Sequence, residues 1–144
     1  MKTANPYLYF NGNTEEAFTF YKSVFGGDFL AVLRYKDFGD NAMGVSEVEL
    51  DKIAHIALPL GGNNMLMGTD SLGNREVTIG NNFFITLEPE SGEEADRVFA
   101  ALSAGGRITM PLERTVWAEK HGQCVDKFGI QWMVDYTGNV QFAG

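Results

Sequence analysis

Two stretches of this chain repeat each other at a separation of 78 residues, and that repeat limits the folds open to it more than any other feature. Asn13–Thr14–Glu15–Glu16–Ala17 opens a stretch whose apolar positions are Ala17, Phe20, Tyr21 and Val24. Ser91–Gly92–Glu93–Glu94–Ala95 opens a second, with Ala95, Val98, Phe99 and Leu102, each 78 positions after its counterpart. The spacing is that of an amphipathic helix. Asn13 and Ser91 are placed to accept from the N3 backbone amide, and Glu16 and Glu94 favour the positive helix end. Gly26–Gly27 and Gly105–Gly106 supply terminators. Matching caps, frame and stops together point to an internal duplication.

The strands follow the same offset. Pro6–Tyr7–Leu8–Tyr9–Phe10 precedes the first helix and Phe84–Ile85–Thr86–Leu87–Glu88 the second. Apolar runs follow at Phe29 to Tyr35 and Arg107 to Met110. A hairpin then closes each half. The first joins Ile53–Leu60 to Met65–Thr69 through Gly61–Gly62–Asn63–Asn64; the second joins Gly122–Asp126 to Ile130–Tyr136 through Lys127–Phe128–Gly129. Lys36 to Lys52 is a longer excursion with Gly39 and Gly44, and Gly73 to Asn81 reads as the linker. The expectation is an α+β fold: one domain over residues 1–144, built of two tandem βαβββ repeats at about 4–70 and 82–137. Each sheet has one face covered by its helix, and the other faces form a sheet-lined cleft in which only alternate strand residues point.

Composition narrows the partners. Nineteen acidic against eleven basic side chains leave a formal charge of −8, which repels phosphate backbones and argues against nucleic acid. The single cysteine, Cys124, excludes an internal disulfide and any multi-cysteine zinc site. Ile53 to Leu60, the longest strongly apolar stretch, contains His55 and Pro59 and is too short to span a bilayer. The start of the chain carries no apolar signal segment, so the expected location is cytoplasmic, with no membrane partner.

Glu16–Ala17–Phe18–Thr19–Phe20–Tyr21–Lys22–Ser23–Val24–Phe25–Gly26–Gly27 resembles the first-helix motif of the PhnB-like branch of the vicinal oxygen chelate superfamily. That superfamily includes glyoxalase, bleomycin-resistance and extradiol dioxygenase proteins; the branch is also known for its demethylubiquinone methyltransferase-type domain. His55–Ile56–Ala57–Leu58, Met67–Gly68–Thr69–Asp70, Met110–Pro111–Leu112, Trp117 and Asp126–Lys127–Phe128–Gly129–Ile130–Gln131–Trp132 extend the match over roughly residues 4 to 137. The resemblance implies a glyoxalase/bleomycin-resistance-like fold and a small-molecule ligand. It also implies metal ligands on the first and last strands of each unit. Here those positions fall near Pro6–Tyr7, Phe84–Ile85 and Met133, none of them a hard-metal ligand, so no cofactor and no metal of the usual kind are expected. A methyl donor would need a glycine-rich strand-to-helix loop, whereas Gly61–Gly62 and Gly105–Gly106 read as a turn and a helix stop.

The aromatic residues are the leading pocket candidates. Tyr7 and Tyr9 share one face of the first strand, Trp132 lies on the last, and Trp117 sits in a loop; each combines apolar contact with a polar edge. His55, His121 and Glu113 complete the candidate ligand-binding set, with Glu113 in a loop at the cleft edge. Glu113, Glu119, Asp126 and Asp135 are the carboxylates from which a general base would be drawn. His121 and Cys124 stand three apart on a strand and point to opposite faces, which favours a buried thiol over a nucleophile. The leading reading is a PhnB-like small-molecule-binding protein acting as a homodimer, a drug-sequestering resistance protein being one special case. The alternative is a metal-dependent lyase, isomerase or dioxygenase with zinc or nickel on His55, His121 and Asp70, against which stand a hydrogen-bonded His55 in a strand and a solvated His121 in a loop.

Overall fold

Each half builds a strand, a helix and three more strands, in that order. The computed structural model describes residues 1–39, 44–73 and 75–141. It divides into two units, Met1–Thr78 and Ile79–Gly144. The first holds β1 (Tyr7–Phe10), α1 (Thr14–Phe25), β2 (Ala31–Arg34), β3 (Ile53–Gly61) and β4 (Asn64–Asp70). The second holds β5 (Ile85–Leu87), α2 (Gly92–Ser103), β6 (Arg107–Glu113), β7 (Lys120–Val125) and β8 (Gln131–Tyr136). Both helices begin and end 78 residues apart, at 14 and 92 and at 25 and 103. The sheet orders correspond, β1-β4-β3-β2 and β5-β8-β7-β6. In each, the first strand runs parallel to the last and the remaining pairs are antiparallel. The fold is therefore α+β, with two repeated βαβββ units.

The helix of each unit covers one face of its own sheet. Ala17, Phe18, Tyr21 and Val24 of α1 are buried along with Leu8, Phe10, Ile56, Leu58 and Leu66 of the strands. The close approach depends on glycine at one central position. A Cβ on Gly68 would stand 2.6 Å from the Phe18 ring, so the bare backbone admits the ring. In the second unit Gly122 plays this part under Phe99, where a Cβ would stand 2.8 Å from the ring. Ala95, Val98, Phe99 and Leu102 are all buried, as the spacing predicts. In α1 the frame differs: Phe18 takes the inward position and Phe20 is only half-buried. The space over Gly68 is what draws Phe18 in.

The two caps also differ in kind. Ser91 accepts from the Glu94 amide at 3.1 Å, while Glu94 accepts from the Glu90 amide at 3.0 Å. Asn13 makes no such bond. Instead the buried Asp70, at the end of β4, accepts from the Thr14 amide at 3.0 Å and from the Ile53 amide at 2.8 Å. One carboxylate thus fixes where α1 and β3 begin, a tertiary substitute for a local cap.

Three boundaries move from their sequence-based positions. β6 continues through Pro111 to Glu113, which its place at the edge of the sheet permits, so Glu113 is a strand residue rather than a loop residue. β7 starts at Lys120, which puts His121 within a ladder instead of a solvated loop. The excursion expected from Lys36 to Lys52 begins one residue earlier, with 3₁₀ turns at Tyr35–Phe38 and Glu47–Glu49; its residues 40–43 lie outside the described residues. Within the linker, residue 74 likewise lies outside them, and Val77 is held by Asn11, whose amide donates to its carbonyl at 2.9 Å and accepts from its N–H at 2.8 Å. Among the described residues, no helix is long and apolar enough to cross a membrane.

Candidate functional site

Strand alternation sorts the candidate residues onto two faces. In the first unit Leu8 and Phe10 go inward under α1, and Tyr7 and Tyr9 go outward, 41% and 44% exposed. Register carries the outward set across the sheet: Tyr7 stands beside Met67, Tyr9 beside Thr69, and His55 beside Leu33. The Tyr7 hydroxyl lies 2.9 Å from His55 Nδ1, and the two rings stack with centroids 5.6 Å apart. Tyr9 tilts against Tyr7 at 5.8 Å, and the Arg75 guanidinium sits 5.6 Å over the Tyr9 ring. Burial, reinforced by the neighbouring Tyr9 and Tyr35 hydroxyls, pushes the Tyr7 phenol above its ordinary range, so it remains a proton donor at neutral pH. Tyr7, Tyr9 and His55 therefore form one aromatic group on the face that α1 leaves uncovered.

The second unit repeats the arrangement with more polar chemistry. His121 on β7 stands opposite Glu113 on β6 and Asp135 on β8. His121 Nδ1 is 2.9 Å from Asp135 Oδ1, and the same oxygen accepts from Trp117 Nε1 at 3.0 Å. Trp117 also packs edge-on against the imidazole with centroids 5.1 Å apart. Its segment is fixed by Thr115, whose hydroxyl accepts from the Trp117 and Ala118 amides at 3.3 and 3.2 Å. Gln123, two residues along β7 on the same face, places its amide nitrogen 3.2 Å from His121 Nε2. Trp117 remains 38% exposed while His121 is only 4% exposed beneath it.

Proton positions in this cluster follow from the inventory of donors. An indole N–H can only donate, so Asp135 Oδ1 is an acceptor. It bonds His121 Nδ1 only if that nitrogen carries the proton. In the neutral ring Nε2 is then bare, and it accepts from Gln123; the amide orientation is assigned by this network. Gln123 was absent from the sequence-based set. Its signal was present, since 121, 123, 133 and 135 alternate onto one face of a single hairpin.

Trp132 is a correction. It stands beside Cys124 in the ladder, on the helix-covered face with Gly122 and Val134, and is fully buried. Its Nε1 donates to Asp126 Oδ2 at 2.8 Å, and Asp126 Oδ1 accepts from the Phe128 and Ile130 amides at 2.8 and 3.1 Å. Even-numbered positions of β8 face α2, whereas Met133 and Asp135 face away, so Trp132 packs the core and Asp126 shapes the turn. Cys124 shares the inward face, and burial together with nearby Asp126 raises its thiol to about 11, the state of an inert core residue.

The positions at which the superfamily would hold a metal do not suit one. Tyr7 is committed to His55, Ile85 is aliphatic, and the Met133 thioether receives the Thr86 hydroxyl at 3.7 Å. Asp70 spends both oxygens on backbone amides, and His121 has a protein partner on both nitrogens. Among the described residues no three His, Cys, Asp or Glu side chains are grouped to hold a metal ion. Gly61–Gly62 form the β3–β4 turn and Gly105–Gly106 follow α2, so neither pair makes a strand-to-helix loop.

Known proteins share this sequence pattern and fold. The profile of the 3-demethylubiquinone-9 3-methyltransferase family matches residues 2–135. Protein YjdN of Escherichia coli is 28% identical over 138 residues, covering 91% of this chain and 92% of that protein. The crystal structure of PA1353 from Pseudomonas aeruginosa is 36% identical with a TM-score of 0.83, covering 93% of this chain and 96% of that one. A PhnB protein from Bacillus cereus, described as a putative 3-demethylubiquinone-9 3-methyltransferase, is 29% identical with a TM-score of 0.75, over 93% and 98% of the two chains. More distant solved structures, a fosfomycin resistance protein at 10% identity and a TM-score of 0.62 among them, share the fold alone. The chain belongs to the 3-demethylubiquinone-9 3-methyltransferase family.

Proposed function

We propose that this protein binds a small planar aromatic molecule through the sheet faces that its helices leave uncovered. The observation that carries this reading is the recurrence of one arrangement: in both units, exposed aromatic rings gather around a histidine of the third strand on that face. Tyr7 and Tyr9 gather around His55, and Trp117 around His121 beside Glu113. Rings with a polar edge offer a planar ligand both stacking surface and hydrogen bonds. We read the matched units as products of duplication. An acidic chain with one buried thiol suits a reducing cytoplasm. Among the described residues, the outer strands of each four-stranded sheet have a ladder partner on one side only, which supports a homodimer as the working form.

The test is calorimetric titration with 4-nitroanisole, a neutral planar aromatic, against cyclohexanol as a non-aromatic control. Saturable heat for the aromatic probe is expected, weakened about five- to tenfold in Trp117→Ala, since one aromatic contact contributes about 1 kcal/mol beyond its buried area. Equal binding by wild type and the Trp117→Ala and Tyr9→Ala variants, or no saturation, would refute the reading. Sedimentation at micromolar concentration tests the dimer, which a monomeric mass contradicts.

A further inference from the structure

Resting on that reading, we infer that His121 is a proton acceptor for the ligand, which is therefore an aromatic carrying an acidic hydroxyl, a phenol or an enol. The inference comes from how the proton donors around the imidazole are arranged. Asp135 holds the Nδ1–H at 2.9 Å and is itself held by Trp117 Nε1 at 3.0 Å, so the carboxylate cannot turn without losing an indole bond. Nε2 is left as the basic nitrogen, occupied by the Gln123 amide at 3.2 Å. That contact is long for a hydrogen bond and is made by a neutral side chain with rotamer freedom, so a ligand hydroxyl of greater acidity can replace it.

The charged neighbours of the ring in the sheet are both carboxylates. Asp135 on β8 and Glu113 on β6, in register with His121 on either side, are the charged groups flanking it in the ladder; Trp117 and Gln123 are neutral. The step balances simply. The hydroxyl O–H bond of the ligand breaks, its proton moves to His121 Nε2, and its electron pair stays on the ligand oxygen. The product is an imidazolium–phenolate pair in which Asp135 keeps the Nδ1–H. Asp135 is a positioning residue, since it acts through His121; the Trp117 indole holds Asp135 while its ring stays open to the ligand.

The test uses 4-nitrophenol, buffered below its own pKa so that the free probe is nearly colourless, with 4-nitroanisole as its non-ionisable counterpart. Bound 4-nitrophenol is expected to show the yellow phenolate band. His121→Gln should abolish the band, and Asp135→Asn should lower the bound phenolate fraction about tenfold, because the ring is then no longer held with its proton on Nδ1 and Nε2 bare. Gln123→Ala should keep or strengthen it, and this variant leaves the dyad in place if the other two fold poorly. Circular dichroism reports whether each variant is folded. A colourless bound 4-nitrophenol, or a band that survives His121→Gln, overturns the inference. If 4-nitroanisole still binds in that case, aromatic binding stands and only the proton transfer falls. If neither probe binds, both fall.

Discussion

Replacing Asp126 with asparagine separates the two tryptophans into their different roles. Asp126 serves three donors with two oxygens: the Phe128 and Ile130 amides on Oδ1 and Trp132 Nε1 on Oδ2. Asparagine has one acceptor oxygen. If that oxygen keeps the two turn amides, its NH2 faces the indole N–H, donor against donor. Trp132 is fully buried, so water cannot replace the lost acceptor. An unsatisfied buried donor costs about 1–3 kcal/mol, and loss of the charge assistance lies within that range. Denaturant unfolding followed by tryptophan emission should therefore show a loss of about 2 kcal/mol for Asp126→Asn. Trp132→Phe should remove most of the added penalty, giving a coupling of about 1 kcal/mol or more in the double-mutant cycle. A loss under about 0.5 kcal/mol, or additive effects, would show that the pair is not the anchor inferred from its geometry. In the folded protein, acrylamide should quench Trp117 emission and leave that of Trp132 largely untouched.

Three further outcomes follow from the same contacts. With its thiol raised to about 11, Cys124 should have roughly one thiolate in a thousand at pH 8, and alkylation should be slow until the protein is unfolded. Fast, stoichiometric labelling of the native protein would contradict its burial. Gly122→Ala puts a methyl 2.8 Å from Phe99 and 3.0 Å from the Leu112 backbone, so it should cost about 1–3 kcal/mol in denaturant unfolding, and a neutral effect would show that α2 can retreat. The Arg34 guanidinium, bonded to both Glu15 oxygens at 3.1 and 2.6 Å, holds that carboxyl below its ordinary 4.5. A lowered folded pKa contributes stability above the unfolded value and loses it as pH falls through the folded one. Because both side chains are partly in water, the advantage of wild type over Glu15→Gln should be under about 1 kcal/mol at pH 7 and should vanish as pH falls through the carboxyl's lowered folded value. A constant difference across that interval would rule out the ion pair as its source.

What the sequence showed clearly was periodic. The 78-residue offset places α2 and β5 from α1 and β1, and alternation alone puts Tyr7 and Tyr9 on one face and Leu8 and Phe10 on the other. It misplaced what depends on partners distant in the chain. The cap of α1 comes from Asp70 on β4, and no local pattern at Asn13 reports that. The inward turn of Phe18 depends on the missing side chain of Gly68, fifty positions away. Trp132 looked like a ligand residue by type. Its neighbour in the ladder, Cys124, and its acceptor, Asp126, make it core. Gln123 and Asp135 were each readable once β7 was known to begin at Lys120, because register then sets them beside His121. Three of the expected ring and imidazole residues, Tyr7, Tyr9 and His55, come together in the first unit. In the second, Glu113, Trp117 and His121 share one face.

The most direct test of aromatic binding at the uncovered face is an amide and indole correlation spectrum of labelled protein, recorded while 4-nitroanisole is added. Saturable shifts are expected at the Trp117 indole N–H and at the backbone amides of His121, Gln123, Met133 and Asp135, while the Trp132 indole stays fixed. Shifts centred on Trp132 and α2, or no saturable change at Trp117, would contradict the account.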